Sequence, residues 1–464
     1  GTWSANNLVD NVWGHYYKGI RAANFYLKET AGLTFDEWKY SDDYEAIMKE
    51  FTNYQYEVRF LRAYFYFELI KRYRNIPFVL DVLAQNEANG VNPESYEKIA
   101  KFIVDECSDL AQILPVNYDN FSTKEKGRVT RAAAMALKSR VTLYMASPLF
   151  SEDSEDKWKQ AAEAAYDIIK QKTDLGLDLV PYPQIFNDVN NQKAEVILYR
   201  PTGESGDFEK ANFPIGVEGG KTSTCPTQNL MEAYDMKDGT PFVWNNQSDP
   251  YDNRDPRMKY TIVCNEMKWP VDPVEIWEGG TNGLPLQNAT TTGYYLKKYV
   301  NNTISFEAGS TVTKKQHNWV LFRYGEILLN YAEAMINAFH DPNYKDAVYN
   351  MSAREAVNQI RGRTNISLPG FPSDITEKDF VKRLKNERRV ELAFEGHRFW
   401  DVRRWKELGQ TANIYGVKIT KNNEVISYEK FLLETRAVTD NMYFYPIPNT
   451  ERFKNPNLGQ NLGW

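Results

Sequence analysis

The most restrictive feature of this sequence is a run of twenty residues, 386–405, that mixes many charges with large apolar side chains. The run NERRVELAFEGHRFWDVRRW contains four acids and five arginines among valine, leucine, phenylalanine and tryptophan. At helical spacing, Arg388 and Glu395 fall on the same stripe as Leu384 and Leu392, where a core-facing helix normally carries apolar residues. A buried charge left without a partner destabilises a protein by roughly 3–5 kcal/mol, so each of these charges must be paired.

The simplest pairing joins Arg388 to Glu391 or Glu395, and Glu391 to Arg398 of the following helix. Arginine suits such pairs because its planar guanidinium binds carboxylates through two hydrogen bonds and stacks on aromatic rings. Acids and bases alternate in the run and no nucleophile accompanies them. This pattern favours a structural charge network over a catalytic dyad or an RNA-binding helix.

Composition narrows the possible partners. The net charge is −6 and the pI is about 5.6, which argues against nucleic acid and anionic membrane surfaces as partners. No run of about 18 apolar residues is present, so no segment is predicted to span a membrane. The chain holds 11 Trp, 30 Tyr and 24 Phe, more rings than a core needs, so we expect some of them to form exposed plates.

The residues that usually carry catalysis or bind metals do not form known patterns. Three cysteines lack a C-x-x-C arrangement, and the four histidines lack metalloprotease spacing, so no metal or other cofactor is predicted. Glycosidase chemistry needs two carboxylates about 5–10 Å apart. Glu275 and Glu278, on either side of Trp277, are the best candidates, but no motif supports them. We therefore predict that the protein is not an enzyme.

Helical periodicity recurs in pairs of segments, within 9–172 and 319–408. The first predicted helix is Val9–Leu27, and the predicted pairs are Tyr56–Tyr73 with Glu94–Leu114, Val129–Ala146 with Asp156–Lys172, Trp319–Phe339 with Ser352–Arg363, and Thr376–Glu395 with Arg398–Leu408. Alanines on one face and rings on another are typical of tetratricopeptide-type arrays. The spacing is irregular, which indicates an interrupted array.

Between residues 173 and 318 the helical period disappears. Short β-like runs occur there, at Glu195–Tyr199, Lys259–Cys264 and Tyr294–Val300. A long irregular insertion in a compact chain is uncommon and tends to be functional or disordered, and its aromatic content argues against disorder. We predict one domain, 1–464, in which 173–318 forms a ligand face. The segment 409–464 is predicted to be extended, with a strand-like stretch at Ala437–Ile447.

Five segments along the chain share the pattern of one protein family. Besides 386–405 they are LRAYFYFELIKRYRNIPFV (Leu61–Val79), GRVTRAAAMALKSRVTLYMASP (Gly127–Pro148), WVLFRYGEILLNYAEAMINA (Trp319–Ala338) and YPIPNTERFKNPNLGQNLGW (Tyr445–Trp464). Together they resemble the SusD/RagB family, the glycan-binding outer-membrane lipoproteins of Bacteroidetes. The resemblance implies a mostly α, SusD-like fold with interrupted tetratricopeptide-type helix pairs and a large loop-rich ligand face.

The same resemblance implies a function and partners. It implies a non-catalytic protein of the outer cell surface that captures glycan and passes it to a SusC-like TonB-dependent transporter. It also implies a signal sequence and a lipidated cysteine ahead of Gly1, which would anchor the protein to outer-membrane lipid. Two other classes remain open: a peptide-binding member of the family or helical-repeat adaptor, and an enzyme.

Candidate ligand residues follow from the chemistry of sugars. Sugar rings present apolar faces surrounded by hydroxyls, so they bind to aromatic plates flanked by amide and hydroxyl side chains. In the family, sugar-contacting rings come from the segment before the first scaffold helix and from the loop after a DPR turn, which is at 253–258 here. By position in that order, and not by matched residues, the predicted ligand contacts are Trp3, Asn7, Trp269, Trp277 and Asn282, with Trp38, Tyr40 and Trp244 in second rank.

Overall fold

The computed structural model describes residues 3–121, 125–152, 154–245, 249–307 and 313–464, and it is mostly helical, as predicted. Its α-helices are α1 Trp13–Thr30, α2 Tyr44–Tyr73, α3 Gln85–Ala88, α4 Tyr96–Ile113, α5 Arg131–Ala146, α6 Glu155–Lys170, α7 Asp207–Asn212, α8 Gln228–Met231, α9 Met258–Thr261, α10 Tyr324–Phe339, α11 Ala353–Arg361, α12 Glu377–Glu391, α13 Arg398–Arg404 and α14 Asn449–Lys454. Its strands are β1 Ile76–Pro77, β2 Pro93–Glu94, β3 Val196–Pro201, β4 Ile262–Val263, β5 Tyr295–Leu296, β6 Asn318–Arg323, β7 Asn413–Asn422 and β8 Val425–Thr435. They form four antiparallel pairs, β1–β2, β3–β6, β4–β5 and β7–β8.

The chain divides into two compact units. The first unit contains Gly1–Gly176, Arg403–Glu407 and Val438–Trp464, and the second contains Leu177–Val402 and Leu408–Ala437. Three of the predicted helix pairs are present: in the first unit α2 packs on α4 and α5 on α6, and in the second α10 packs on α11. The fourth predicted pair is replaced, because α12 packs on α10 and α11.

Helix α2 begins at Tyr44, earlier than the predicted start at Tyr56, because polar residues in its first turns are buried with partners. The Glu50 carboxylate pairs with Arg128 at 2.8 Å, and the Asn53 side chain donates to the Tyr118 hydroxyl at 2.9 Å. The segment therefore looks like a surface loop in the sequence, although long-range hydrogen bonds satisfy its polar groups inside the first unit.

A buried carboxylate near the end of α2 holds a second ionic cluster of the first unit. The Glu68 carboxylate contacts the Lys71 ammonium at 2.5 Å and the Arg72 guanidinium at 2.6 Å. Burial alone would raise the pKa of Glu68, but these two cations outweigh it and lower the pKa from 4.5 to about 2. Glu68 is therefore charged in the folded protein at neutral pH.

Two elements of the second unit differ from the prediction. Residues 318–323 form strand β6 and pair with β3, and α10 begins only at Tyr324. The segment 413–435, predicted only to be extended, forms the hairpin of β7 and β8, with left-handed Asn423 at its turn. Val417, Ile419 and Tyr428 are buried at alternating positions, and this period of two is the signal for the hairpin.

In the first unit, the predicted strand-like stretch at 437–447 contains a short 3₁₀ turn at Asp440–Tyr443 instead.

The predicted charge network is confirmed, but its predicted pairs are wrong. Glu391 is fully buried and binds Arg257, Arg323 and Arg363, at 2.8, 2.9 and 2.7 Å. These guanidinium groups overcome the effect of burial and hold the pKa of Glu391 far below its usual range. The partners come from segments distant in sequence, which local spacing along one helix cannot reveal.

The other predicted pairs are also replaced. Arg388 binds Asp401 at 2.9 Å and the side-chain oxygen of Asn330 at 2.8 Å. Glu395 binds Arg323 at 2.7 Å and Lys298 at 2.8 Å. The network therefore joins α12 to the irregular 173–318 region within the second unit.

Candidate functional site

The most exposed of the predicted rings lie in the loop between α1 and α2 of the first unit. Trp38 is 50% exposed and Tyr40 is 88% exposed. The Trp38 ring stacks on Phe35 with centroids 5.8 Å apart and planes at 19°, and Phe35 meets Phe51 edge-on at 4.9 Å. We call Phe35, Trp38 and Tyr40 the aromatic shelf.

Backbone hydrogen bonds hold the aromatic shelf in place. The Trp38 amide donates to the Phe35 carbonyl at 2.9 Å, and the Ser41 amide donates to the Trp38 carbonyl at 2.8 Å. Phe35 has a left-handed backbone with φ of 50°, an unfavourable conformation for a bulky residue. The shelf is therefore a tight turn that presents two rings to solvent.

The other predicted residues of the first unit have different surroundings. The Trp3 ring packs against Tyr445 at 5.0 Å and Trp464 at 4.8 Å, so it contributes to the packing of the C-terminal segment. Asn7 is exposed and closes a turn, with its amide donating to the Ser4 carbonyl at 3.1 Å. Ligand contact by Trp3 and Asn7 stays a prediction.

The second unit contains a cavity of about 370 Å³, which we call the ring-walled cavity. It is lined by Pro183, Phe186, Asn187, Asp188, Tyr260, Trp269, Lys297, Lys298, Tyr299, Val300, Asn301, Asn302, Thr303, Lys315 and His317. Its volume lies within the range of about 300–1,000 Å³ typical of small-ligand sites. Aromatic walls with amide and hydroxyl groups beside them suit the two kinds of surface that a sugar presents.

Of the predicted residues, Trp269 lies in the ring-walled cavity. Only 6% of its surface is exposed, and its indole nitrogen has no hydrogen-bond partner among the described residues. The ammonium of Lys297 lies 4.9 Å from the centre of the Trp269 ring, which is a cation–π geometry. Tyr299 packs edge-on against Phe186 at 5.0 Å, which stiffens another wall.

Trp277 and Asn282 lie in one loop of the second unit, with distinct roles. Asn282 is 5% exposed, and its side chain donates to the Ile215 carbonyl at 2.6 Å and accepts from the Glu275 amide at 2.9 Å. These bonds hold the loop that carries Trp277. The Trp277 ring is partly buried, with the Lys421 ammonium 4.5 Å from its centre.

Trp244 is partly buried beside Phe242, with ring centroids 6.4 Å apart. Its predicted role stays a prediction. The structure thus brings Trp38 together with Tyr40, and Trp277 together with Asn282, each set within its own unit.

Sequence reasoning missed Tyr260, Lys297 and Tyr299 of the ring-walled cavity. The segment GYYLKKYV (293–300) carries rings and lysines together, which is a signal for such a wall, but its residues 294–300 also have the pattern of a strand. Only Tyr295 and Leu296 are in a strand, β5, and Tyr299 has a left-handed backbone with φ of 67°.

The two carboxylates considered for catalysis, Glu275 and Glu278, both make contacts with neighbouring groups. The Glu275 carboxylate accepts from the Thr281 amide at 3.2 Å, and Glu278 forms an exposed ion pair with Lys418 at 3.2 Å. Among the described residues, no group of three or more histidine, cysteine or acidic side chains is arranged to hold a metal ion. Within the same residues, no helix combines the length and apolar character needed to cross a membrane.

The helix pairs and the loop-rich region of the second unit form a SusD-like fold, as solved structures show. The structure is similar to a SusD-like protein from Bacteroides fragilis NCTC 9343, with a TM-score of 0.80 and 27% identity over 100% of this chain and 88% of that one. It is also similar to a SusD-like carbohydrate binding protein from the same organism, with a TM-score of 0.80 and 26% identity over 99% of this chain and 88% of that one. Their sequences differ at most positions, so the helical frame tolerates extensive substitution.

Sequence comparison agrees with the fold. SusD-like protein P2 of Formosa agariphila is 22% identical over 98% of this chain and 80% of its own length. A profile of the SusD family matches residues 185–464, and one described as starch-binding associating with outer membrane matches residues 2–143. The chain belongs to the SusD family, which confirms the resemblance seen in the sequence.

Proposed function

We propose that this protein is a non-catalytic glycan-binding protein of the outer cell surface that captures oligosaccharides by stacking them on exposed rings. The observation that carries the proposal is the aromatic shelf, where Trp38 and Tyr40 face solvent within a hydrogen-bonded turn. A relative 26% identical to this chain is a carbohydrate binding protein, and the profile matching residues 2–143 is described as starch-binding. Both support a glycan ligand.

The proposal includes delivery of the glycan to a SusC-like TonB-dependent transporter and attachment to outer-membrane lipid through an anchor ahead of Gly1. The description of association with the outer membrane supports this location. The contacts of Glu275 with the Thr281 amide and of Glu278 with Lys418 support a structural role for these carboxylates in the loop of Trp277.

The shelf has the capacity for weak, reversible binding. A Trp ring buries roughly 150–250 Å², and half of it covered by a sugar removes about 100 Å² from water, which contributes about 2 kcal/mol. Two such plates contribute about 4 kcal/mol, and affinities from mM to tens of μM correspond to about 4–7 kcal/mol, so hydrogen bonds to the sugar have to offset the cost of association. Weak binding suits a protein that passes its ligand onward.

The predicted residues take different roles in this proposal. Trp38 and Tyr40 stack on the sugar, and Trp269 forms a wall of the ring-walled cavity. Trp277 offers its ring beside the Lys421 ammonium, and Asn282 positions the loop of Trp277. Trp3, Asn7 and Trp244 remain predicted contacts without an assigned role in this proposal.

Isothermal titration of the purified protein with maltohexaose, laminarihexaose, cellohexaose and a set of oligopeptides tests the proposal. We expect heat from at least one glycan, and we expect Trp38→Ala to weaken that binding about tenfold or more, because it removes about 2 kcal/mol of stacking. Phe453→Ala is the matched control, since Phe453 is an 84% exposed ring of the same unit outside the shelf.

Three results would contradict the proposal: heat only from oligopeptides, equal losses in the two variants, or release of reducing ends from the glycan. The first supports the peptide-binding alternative, and the last supports an enzyme. Equal melting temperatures of the two variants confirm that any loss of binding is local.

A further inference from the structure

The ring-walled cavity is lined by more basic than acidic side chains. Its lining includes Lys297, Lys298, Lys315 and His317, and its one acidic side chain is Asp188. Three of the four basic groups have carboxylate partners: Lys298 with Glu395 at 2.8 Å, Lys315 with Asp188 at 3.5 Å, and His317 with Glu209 at 2.9 Å.

Lys297 differs from these three. Within the described residues, no carboxylate lies within 4.0 Å of its ammonium, which instead contacts the Met267 sulfur at 3.6 Å and the Trp269 ring. Its side chain is partly buried, and burial lowers the pKa of Lys297 below its usual value. A cation removed from water without a counter-ion is unfavourable, so the cavity favours the entry of an anionic group.

Other groups of the cavity define the remainder of the ligand. Trp269 forms part of the cavity wall, and its indole N–H is buried without a partner among the described residues. Asn302 and Thr303 are exposed at the cavity and suit sugar hydroxyls, while Tyr260 and Tyr299 supply apolar walls. An anionic group, hydroxyls and an apolar face occur together in an acidic sugar.

We propose that the ring-walled cavity binds a sugar unit that carries a carboxylate or a sulfate ester, with that anion paired to the ammonium of Lys297. This inference rests on the proposed function, because it takes the ligand to be a glycan, and it adds the class of glycan. A neutral sugar leaves the Lys297 charge uncompensated, so the cavity discriminates in favour of the charged one. The interaction is a charge-assisted hydrogen bond, stronger than one between neutral groups.

Matched pairs of charged and uncharged ligands test whether the cavity prefers an anion, without any change to the protein. Titration compares trigalacturonic acid with its methyl ester, which has the same rings and no charge, and a sulfated galactan oligosaccharide with its desulfated form. We expect the charged member of at least one pair to bind about tenfold tighter or more, because hydrogen bonds to charged groups are the strong ones. The pair that shows the difference identifies the anion, and added salt should reduce the difference.

Lys297→Met tests the residue, since it keeps an apolar stem against Trp269 and removes the ammonium. We expect it to abolish the preference for the charged ligand while binding of the uncharged member is retained. Lys237→Met is the matched control, because Lys237 is an exposed lysine of the second unit outside the cavity lining. We expect it to retain the preference.

Failure of this inference and failure of the proposed function give different results. Equal binding of charged and uncharged ligands, or equal loss of preference in the two lysine variants, overturns the inference, while binding sensitive to Trp38→Ala still supports the proposed function. Absence of binding to every glycan, charged or neutral, overturns both.

Discussion

Replacement of Glu391 by glutamine tests whether the buried charge network holds the second unit together. One carboxylate oxygen of Glu391 accepts from Arg323 and Arg363, and the other accepts from Arg257. Glutamine has nearly the same volume but offers one accepting oxygen, and its amide group would face a guanidinium with a donor. At least one guanidinium contact is therefore lost, and one of the negative charges that compensate the three cations disappears.

The expected effect is large because the site is fully buried. Breaking a buried ion pair by changing one partner costs about 3–5 kcal/mol. In a domain of about 150–250 residues, 1 kcal/mol shifts the Tm by about 2–4 °C, so we expect the Tm of the second unit to fall by about 6–20 °C.

Differential scanning calorimetry measures this effect, and Glu278→Gln provides the control. Glu278 is exposed and pairs with Lys418 at 3.2 Å, so its replacement should change stability by about 1 kcal/mol or less, as for other surface pairs. A loss for Glu391→Gln no larger than that of the control would refute the reasoning, because it would show that the other carboxylates compensate the three arginines.

Three further changes have defined outcomes. Because the folded-state pKa of Glu68 is about 2, its contribution to stability is complete above pH 4.5 and disappears as the pH falls towards 2; Glu68→Gln should therefore flatten the loss of Tm over this acid range in calorimetry. Gly293→Ala should destabilise the protein by about 2–4 kcal/mol in urea unfolding, since φ is 85° and a new Cβ would lie 2.5 Å from a backbone oxygen of β7. Gly279→Ala is its control, with φ of 86° and nothing within 4 Å, so a smaller loss there separates contact from backbone strain. In thiol titration of the native protein, Cys225 should react before Cys107, because Cys107 is fully buried and burial raises its pKa.

The helical frame was predictable because its signals are local. The pair of α5 and α6 follows from alanines at helical spacing. In the structure, Thr130 and Ser154 accept hydrogen bonds from the first turns of α5 and α6. The need for a charge network was also predictable, because charged groups at core-facing positions have to be paired. The partners of Glu391 were not, since Arg257 and Arg323 are far from it in sequence.

The start of α10 and the β7–β8 hairpin show where local patterns compete. The run that begins at Trp319 continues the apolar period of α10, but its bulky residues pair with β3 as a strand. In 413–435 the alternation of Val417 and Ile419 is short and lies in a segment with several lysines, which masks the period of two. Strand pairing depends on a partner segment, and helical periodicity does not.

The candidate site also has a part that the sequence predicts and a part that depends on tertiary packing. Trp38 and Tyr40 belong to one loop, so the sequence alone places them together as possible plates. The ring-walled cavity joins Phe186, Trp269 and Lys297 from three separate segments of the second unit, and no spacing rule relates them. Their proximity follows from tertiary packing, in which Lys298 binds Glu395 of the charge network beside the cavity.

A rigid frame is a physical requirement of weak glycan binding, and this connects the charge network to the proposed function. Association costs about 4–15 kcal/mol before any contact is counted, and each side chain ordered on binding adds about 0.5–1.5 kcal/mol. Rings that contribute about 2 kcal/mol each cannot also order their own loops. The ties of Asn282 to Ile215 and of Lys298 to Glu395 order these loops during folding, so ligand binding does not have to supply that ordering. Substitutions that loosen such ties should therefore weaken ligand binding even where every ring that touches the sugar is retained.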